Sequence, residues 1–141
     1  MNNKGFLLAE ETLKIIIAVI AIGFLAYFLV SLYMSNQASK DLELAEESLS
    51  HLVTEINSGK IEVDIYNPEG WHMISWEGGL PLSCSNIGWD SCLCICDGND
   101  AEDCDDKGTC LESEFSIEDV EIKDPPITLI IDQVNKQISK K

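Results

Sequence analysis

The chain has 141 residues, with 25 acidic residues against nine lysines and no arginine, so its formal net charge is −16. The whole excess lies in residues 35–141, which carry 23 acids and seven lysines. A segment with this negative charge repels the phosphate backbone of nucleic acids, which argues against a nucleic-acid partner. The same charge attracts cations or basic proteins. These 107 residues suffice for one small core rather than two domains.

An uncharged run of twenty residues extends from Ile15 to Met34. At a rise of 1.5 Å per residue, a helix of about this length crosses a hydrocarbon core of about 30 Å. In lipid, all backbone polar groups must be paired within the segment, which requires a helix. We therefore predict one membrane-spanning helix over residues 6–34, in which the residues before Ile15 are partly polar. The membrane is accordingly a predicted partner of the chain.

A short leader ending in lysine and glycine precedes the apolar run. The chain begins Met-Asn-Asn-Lys-Gly5-Phe6, and Glu10 is the fifth residue counted from Phe6. This pattern resembles the prepilin, or class III, signal of type IV pilins and their archaeal relatives. The resemblance implies that a prepilin-type peptidase removes residues 1–5 by cutting between Gly5 and Phe6. It also implies that Glu10 packs against the free amine of a neighbouring, like subunit, since a buried carboxylate needs a partner.

The alternative is an uncleaved single-pass anchor. Pilins continue with apolar residues after this acid, whereas here Glu11, Thr12 and Lys14 follow. Glu10 and Lys14 have the i, i+4 spacing that stabilises a surface helix. Residues 6–14 would then form a cytoplasmic amphipathic helix before the membrane.

A second helical pattern follows the apolar run and is predicted over residues 35–59, ending at Gly59. Its apolar residues are spaced three and four apart: Leu42, Ala45, Leu49, Leu52 and Ile56. Such a stripe packs against the protein's own sheet or, alternatively, against other subunits.

Beyond Gly59 the pattern changes to alternation, which is typical of strands. Residues 60–66 and 71–76 are predicted to form a hairpin, and residues 127–131 another strand. Residues 133–141 are a short tail of helix or strand. The three tryptophans of this region could form exposed binding platforms, but we expect them to belong to its core: Trp71, Trp76 and Trp89.

Six cysteines lie in one short segment: Cys84, Cys92, Cys94, Cys96, Cys104 and Cys110. Their even number and the lack of nearby histidine favour disulfides, and hence an extracytoplasmic location, over a metal cluster. Residues 92, 94 and 96 share one face of a strand and are poorly placed to bridge each other. Six pairings remain, and locality favours Cys84–Cys92, Cys94–Cys110 and Cys96–Cys104.

The same segment is acidic and partly imitates a calcium loop. Asp103, Asp105 and Glu114 occupy the first, third and twelfth positions of an EF-hand pattern. However, Lys107 stands where the fifth position needs an oxygen ligand. These three acids are therefore weak candidates for metal ligation, and a solvated loop without cofactor is expected.

No catalytic motif is recognisable in the sequence, so we do not expect an enzyme. The predicted fold class is α+β: a long N-terminal helix followed by a small disulfide-rich antiparallel β domain over residues 60–141. The predicted function is that of a pilin-like subunit of a cell-surface filament, with a cytoplasmic N-terminus. The alternative is a non-polymerising single-pass membrane protein with an extracytoplasmic protein- or cation-binding domain.

Overall fold

The computed structural model describes residues 3–141, with side chains described from residue 9. In this part of the chain there are three helices, α1 (Asn3–Asn57), α2 (Leu82–Ser85) and α3 (Ala101–Asp106). The strands are β1 (Glu62–Ile65), β2 (His72–Glu77), β3 (Ser91–Cys96), β4 (Gly108–Glu112), β5 (Ser116–Ile117), β6 (Val120–Glu121), β7 (Ile127–Asp132) and β8 (Gln137–Lys140).

The chain divides into two compact units, residues 1–38 and 39–141. The first unit consists of the N-terminal part of α1. This helix is long and apolar enough to cross a membrane, so it agrees with the predicted span in length and composition.

The second unit contains the last part of α1 and two four-stranded sheets. Sheet A has the order β1-β7-β8-β5, and sheet B has the order β4-β3-β2-β6. All pairs are antiparallel except β5 with β8, which is parallel. The predicted α+β class, with a long helix before a disulfide-rich and mainly antiparallel β domain, is confirmed.

The predicted hairpin of residues 60–66 and 71–76 is wrong. Both strands exist, but β1 pairs with β7 in sheet A, whereas β2 pairs with β3 and β6 in sheet B. A connection of six residues separates them. The two strands present their apolar sides to the same core from different sheets. The alternation of apolar and polar residues is the same in this arrangement as in a hairpin, so it could not distinguish the two.

The apolar stripe of α1 packs into the core of its own unit. Ala45, Leu49 and Leu52 have no solvent exposure, and Ile56 is 4% exposed. The side chains around them come from both sheets and include Ile65, Met73, Leu93, Ile95, Leu129 and Ile131. The prediction that the stripe packs on the protein's own sheets is therefore confirmed, and these residues are not free to bind another subunit.

The helix ends near the predicted position. Gly59 has a φ of +80°, a conformation that favours glycine, and its N–H donates to the carbonyl of Ile56. The C-terminal tail forms β8 after a turn in which the Asp132 carboxylate accepts hydrogen bonds from the N–H groups of Asn135 and Val134. The bonds from Asn135 and Val134 lower the pKa of Asp132.

Candidate functional site

Strand β3 separates two kinds of core. Leu93 and Ile95 face the apolar core described above, while Cys92, Cys94 and Cys96 lie on the other side of sheet B. The three disulfides are Cys84–Cys92, Cys94–Cys110 and Cys96–Cys104, which is the pairing that locality favours. We call the six residues the cysteine cluster.

Each partner of β3 in the cysteine cluster comes from a different element. Cys110 lies directly opposite Cys94 in the pairing of β3 with β4. Cys84 belongs to α2, and Cys104 belongs to α3. The bridges therefore attach two short helices, of four and six residues, to sheet B. Helices this short have little stability of their own, so the covalent links and the packing hold them.

Two tryptophans pack against the cysteine cluster. Trp76 and Trp89 are both half-buried there, and Trp76 lies directly across from Cys92 in the pairing of β2 with β3. Trp71 is buried in the apolar core instead. All three tryptophans therefore contribute to core packing, as the sequence predicts.

The acidic segment forms α3, although the sequence predicts a loop there. Asp100 and Asp103 form a reciprocal capping box at its start. The Asp105 carboxylate accepts hydrogen bonds from the N–H groups of Leu82 (3.0 Å) and Ser83 (2.7 Å). Although desolvation opposes ionisation, the bonds from Ser83 and Leu82 hold the pKa of Asp105 below its usual value. This acid therefore fixes the first residues of α2 beside α3.

The weak metal candidates have separate roles in the structure. Asp103 belongs to the capping box, and Asp105 binds the backbone of α2. Glu114 pairs with Lys136 from the turn before β8, and this bond lowers the pKa of Glu114. Each of the three carboxylates is thus engaged by a different partner.

The predicted leader site, Gly5 and Phe6, lies outside the residues whose side chains are described. Glu10 is described and is half exposed, and its carboxylate lies 3.0 Å from the Lys14 ammonium. This pair has the i, i+4 spacing noted in the sequence. It gives Glu10 a partner within its own helix.

One polar pair has no signal in the sequence. The His72 Nδ1 lies 2.6 Å from a carboxylate oxygen of Asp119, and the Asn99 side-chain amide lies 3.5 Å from the other oxygen. His72 and Asp119 are 47 residues apart and meet because β2 pairs with β6. Only the strand order brings them together, so spacing could not predict the contact. His51, the other histidine, is exposed on α1.

Comparison of the chain with known protein families, curated proteins and solved structures finds no match.

Proposed function

We propose that the chain is a membrane-anchored structural protein of the cell surface, a pilin-like subunit of a surface filament. Residues 1–5 are removed as a leader, the apolar part of α1 is the anchor and assembly segment, and the disulfide-linked domain is extracytoplasmic. The proposed partners are the membrane, a prepilin-type peptidase and like subunits.

The observation that carries this proposal is the apolar surface of α1. Sixteen large apolar side chains between Leu13 and Met34 are each 51–74% exposed. Water-exposed apolar patches of this extent are rare in soluble monomers and mark contacts with lipid or protein. A bilayer supplies the lipid cover, and the helices of neighbouring subunits in a filament supply the protein cover.

The three disulfides support the proposed location of the second unit. Disulfides persist in oxidising environments and are rare in the cytosol. A small domain with three bridges is typical of proteins that function outside the cytoplasm. With a single span, this location leaves the N-terminus on the cytoplasmic side, where the family's peptidase cuts.

Processing is tested by the mass of the mature N-terminus. We expect Phe6 as the first residue of the natural protein and a precursor longer by five residues after Gly5→Leu. Gly23→Leu is the matched control, because a side chain at Gly23 meets nothing within 4 Å and the residue is distant from the cut. An intact Met1 or Asn2 in cells that contain the peptidase would contradict the pilin proposal.

Assembly is tested by two neighbouring acids. In the pilin proposal Glu10→Gln removes the partner of the adjacent subunit's terminal amine, so filaments disappear from electron micrographs while the processed protein remains in the membrane. Glu11→Gln removes the same charge one position away and should leave filaments intact. Equal loss in both variants would remove the specific role of Glu10.

A non-polymerising membrane protein is the second candidate. Two observations favour it: Glu10 pairs with Lys14 within its own helix, and the unit of residues 39–141 carries nearly the whole negative charge, which opposes close packing of copies. Both candidates require residues 39–141 to be outside. Protease added to intact cells should remove that unit, and full protection would reverse the proposed orientation.

A further inference from the structure

Four members of the cysteine cluster form a compact group. The sulfur atoms of Cys84, Cys92, Cys94 and Cys110 all lie within 4.8 Å of one another. They come from α2, β3 and β4, so the fold, rather than one short motif, brings them together. Three of them are buried, with exposures of 0–2%, and Cys110 is half-buried.

Two of the distances between these sulfurs equal the edge of a tetrahedral metal site. Cys94 Sγ lies 3.9 Å from Cys84 Sγ and 3.8 Å from Cys92 Sγ, although it is bonded to neither. Four thiolates at about 2.3 Å from a zinc ion are about 3.8 Å from each other. These two contacts of Cys94 thus already have about the length of a tetrahedral edge, and the other sulfur pairs lie within 4.8 Å. After reduction, each bonded pair has to separate by only about 1.8 Å to complete the tetrahedron.

One hydrogen-bond donor lies beside this group, and a tryptophan with an unpaired N–H packs against the cysteine cluster. Among the described side chains, Trp76 Nε1 is the only buried nitrogen or oxygen atom without a hydrogen-bond partner. Its ring packs against the cysteine cluster. Ser83 Oγ lies 3.8 Å from Cys110 Sγ. A metal-bound thiolate carries negative charge and accepts such hydrogen bonds better than a neutral disulfide does, and donors around a metal site orient and stabilise its ligands.

We propose that, when its disulfides are reduced, the chain binds one zinc ion through the thiolates of Cys84, Cys92, Cys94 and Cys110. A thiol or phosphine reductant supplies four electrons to open these two disulfides and two more to open Cys96–Cys104, and binding of the ion releases the four thiol protons. A disulfide oxidant reverses the exchange: it accepts four electrons by thiol–disulfide exchange, the two disulfides form again, and the ion leaves as its thiolate ligands are lost. The site belongs to the chain in a reducing compartment, before its disulfides form, and it does not depend on filament assembly.

The other two cysteines are not expected to bind the zinc ion, because their group has too few sulfurs and shares Cys94 with the first. Cys96 and Cys104 form a second group only together with Cys94, which gives three sulfurs. A closed structural zinc site takes four protein ligands. The four-membered group therefore leaves Cys96 and Cys104 as free thiols in the reduced, metal-bound chain, and this difference makes the proposal testable.

The experiment uses the full chain in detergent, reduced with a phosphine and supplied with one equivalent of zinc. N-ethylmaleimide is added, and mass spectrometry identifies the modified cysteines. Because Cys96 and Cys104 are themselves buried, at 0% and 1% exposure, each rate of modification is compared with and without zinc. We expect zinc to slow the modification of Cys84, Cys92, Cys94 and Cys110, to leave the rates of Cys96 and Cys104 unchanged, and a chelator to remove the difference. An equal effect of zinc on all six cysteines, or no effect on any, would overturn the proposal.

Variants and cobalt test the geometry. Cobalt(II) in the reduced chain should give the intense visible bands of a tetrahedral thiolate site at one equivalent. Cys110→Ser should weaken binding by about 100-fold or more, whereas Cys104→Ser, the matched control, should leave it unchanged. Equal binding by the reduced chain unfolded in urea would show that the fold does not form the site, and would overturn the proposal.

Discussion

Leu49→Ala tests whether the C-terminal part of α1 belongs to the core of the second unit. Leu49 has no solvent exposure and belongs to the apolar core between the helix and the two sheets. Replacing it with alanine deletes three buried carbon atoms while keeping a good helix former. The change therefore reports on packing and not on helix propensity.

The expected loss is large for one substitution. Three carbons at about 0.8 kcal/mol each give about 2.4 kcal/mol of lost burial, and the remaining cavity raises this to about 3 kcal/mol. For a domain of this size the slope of unfolding in urea is about 1.5 kcal/mol per molar. The urea midpoint should therefore fall by about 2 M.

The assay is urea unfolding of the oxidised protein in detergent, followed by tryptophan fluorescence, because all three tryptophans lie in the second unit. Glu47→Ala is the matched control, since Glu47 is exposed two positions earlier on the same helix. Its effect should stay within about 0.5 kcal/mol.

A fall of less than about 1 kcal/mol for Leu49→Ala would refute the docking of this helix on its own sheets. If stability depended on protein concentration and the substitution removed that dependence, the stripe would instead pack between subunits.

Three further predictions concern bridges and charges. Reduction of the disulfides should destabilise the second unit by several kcal/mol, at about 2–4 kcal/mol per bridge. A calcium chelator added to the oxidised protein should leave its melting temperature unchanged. If the chelator and the reductant had equal effects, the acids of this segment would be calcium ligands. Because residues 35–141 carry the whole charge of −16, sodium chloride should raise the urea midpoint of the natural protein, and a fall would contradict net self-repulsion. Asp105→Asn should cost about 0.5–1 kcal/mol at pH 7. Since the folded pKa of Asp105 is lowered from 3.8, this difference should disappear as the pH falls through the folded value, and a constant difference down to pH 2 would contradict the role of its charge.

The elements that the sequence predicts well are those fixed by local periodicity. The stripe from Ala45 to Ile56 repeats every three or four residues, and that spacing alone identifies the buried side of α1. The alternation of β3 likewise separates Leu93 and Ile95 from the cysteines, which restricts the disulfide pairing. In both cases the information lies within about ten consecutive residues.

The elements that the sequence does not predict depend on distant contacts. The first two strands look like a hairpin because a turn joins them, yet β1 finds its partner in β7, more than 60 residues later. Helix α3 is missed because its six residues AEDCDD contain no apolar repeat, and a capping box and a disulfide hold it. The role of Asp105 follows from α2 lying beside α3, which no spacing reveals.

Strand β3 explains how so acidic a domain remains folded. Five of its six residues are buried, because one face belongs to the apolar core and the other to the cysteine cluster. Loss of the disulfides therefore exposes the cysteine face of β3 to water. Because the other face of the same strand belongs to the apolar core, that core is weakened as well. The acids of α3 repel each other beside this strand, and the Cys96–Cys104 bridge limits how far that repulsion can separate the chain. A domain with few lysines to neutralise its acids thus depends on covalent links beside the acids of α3, and on the buried side of α1 to complete its apolar core.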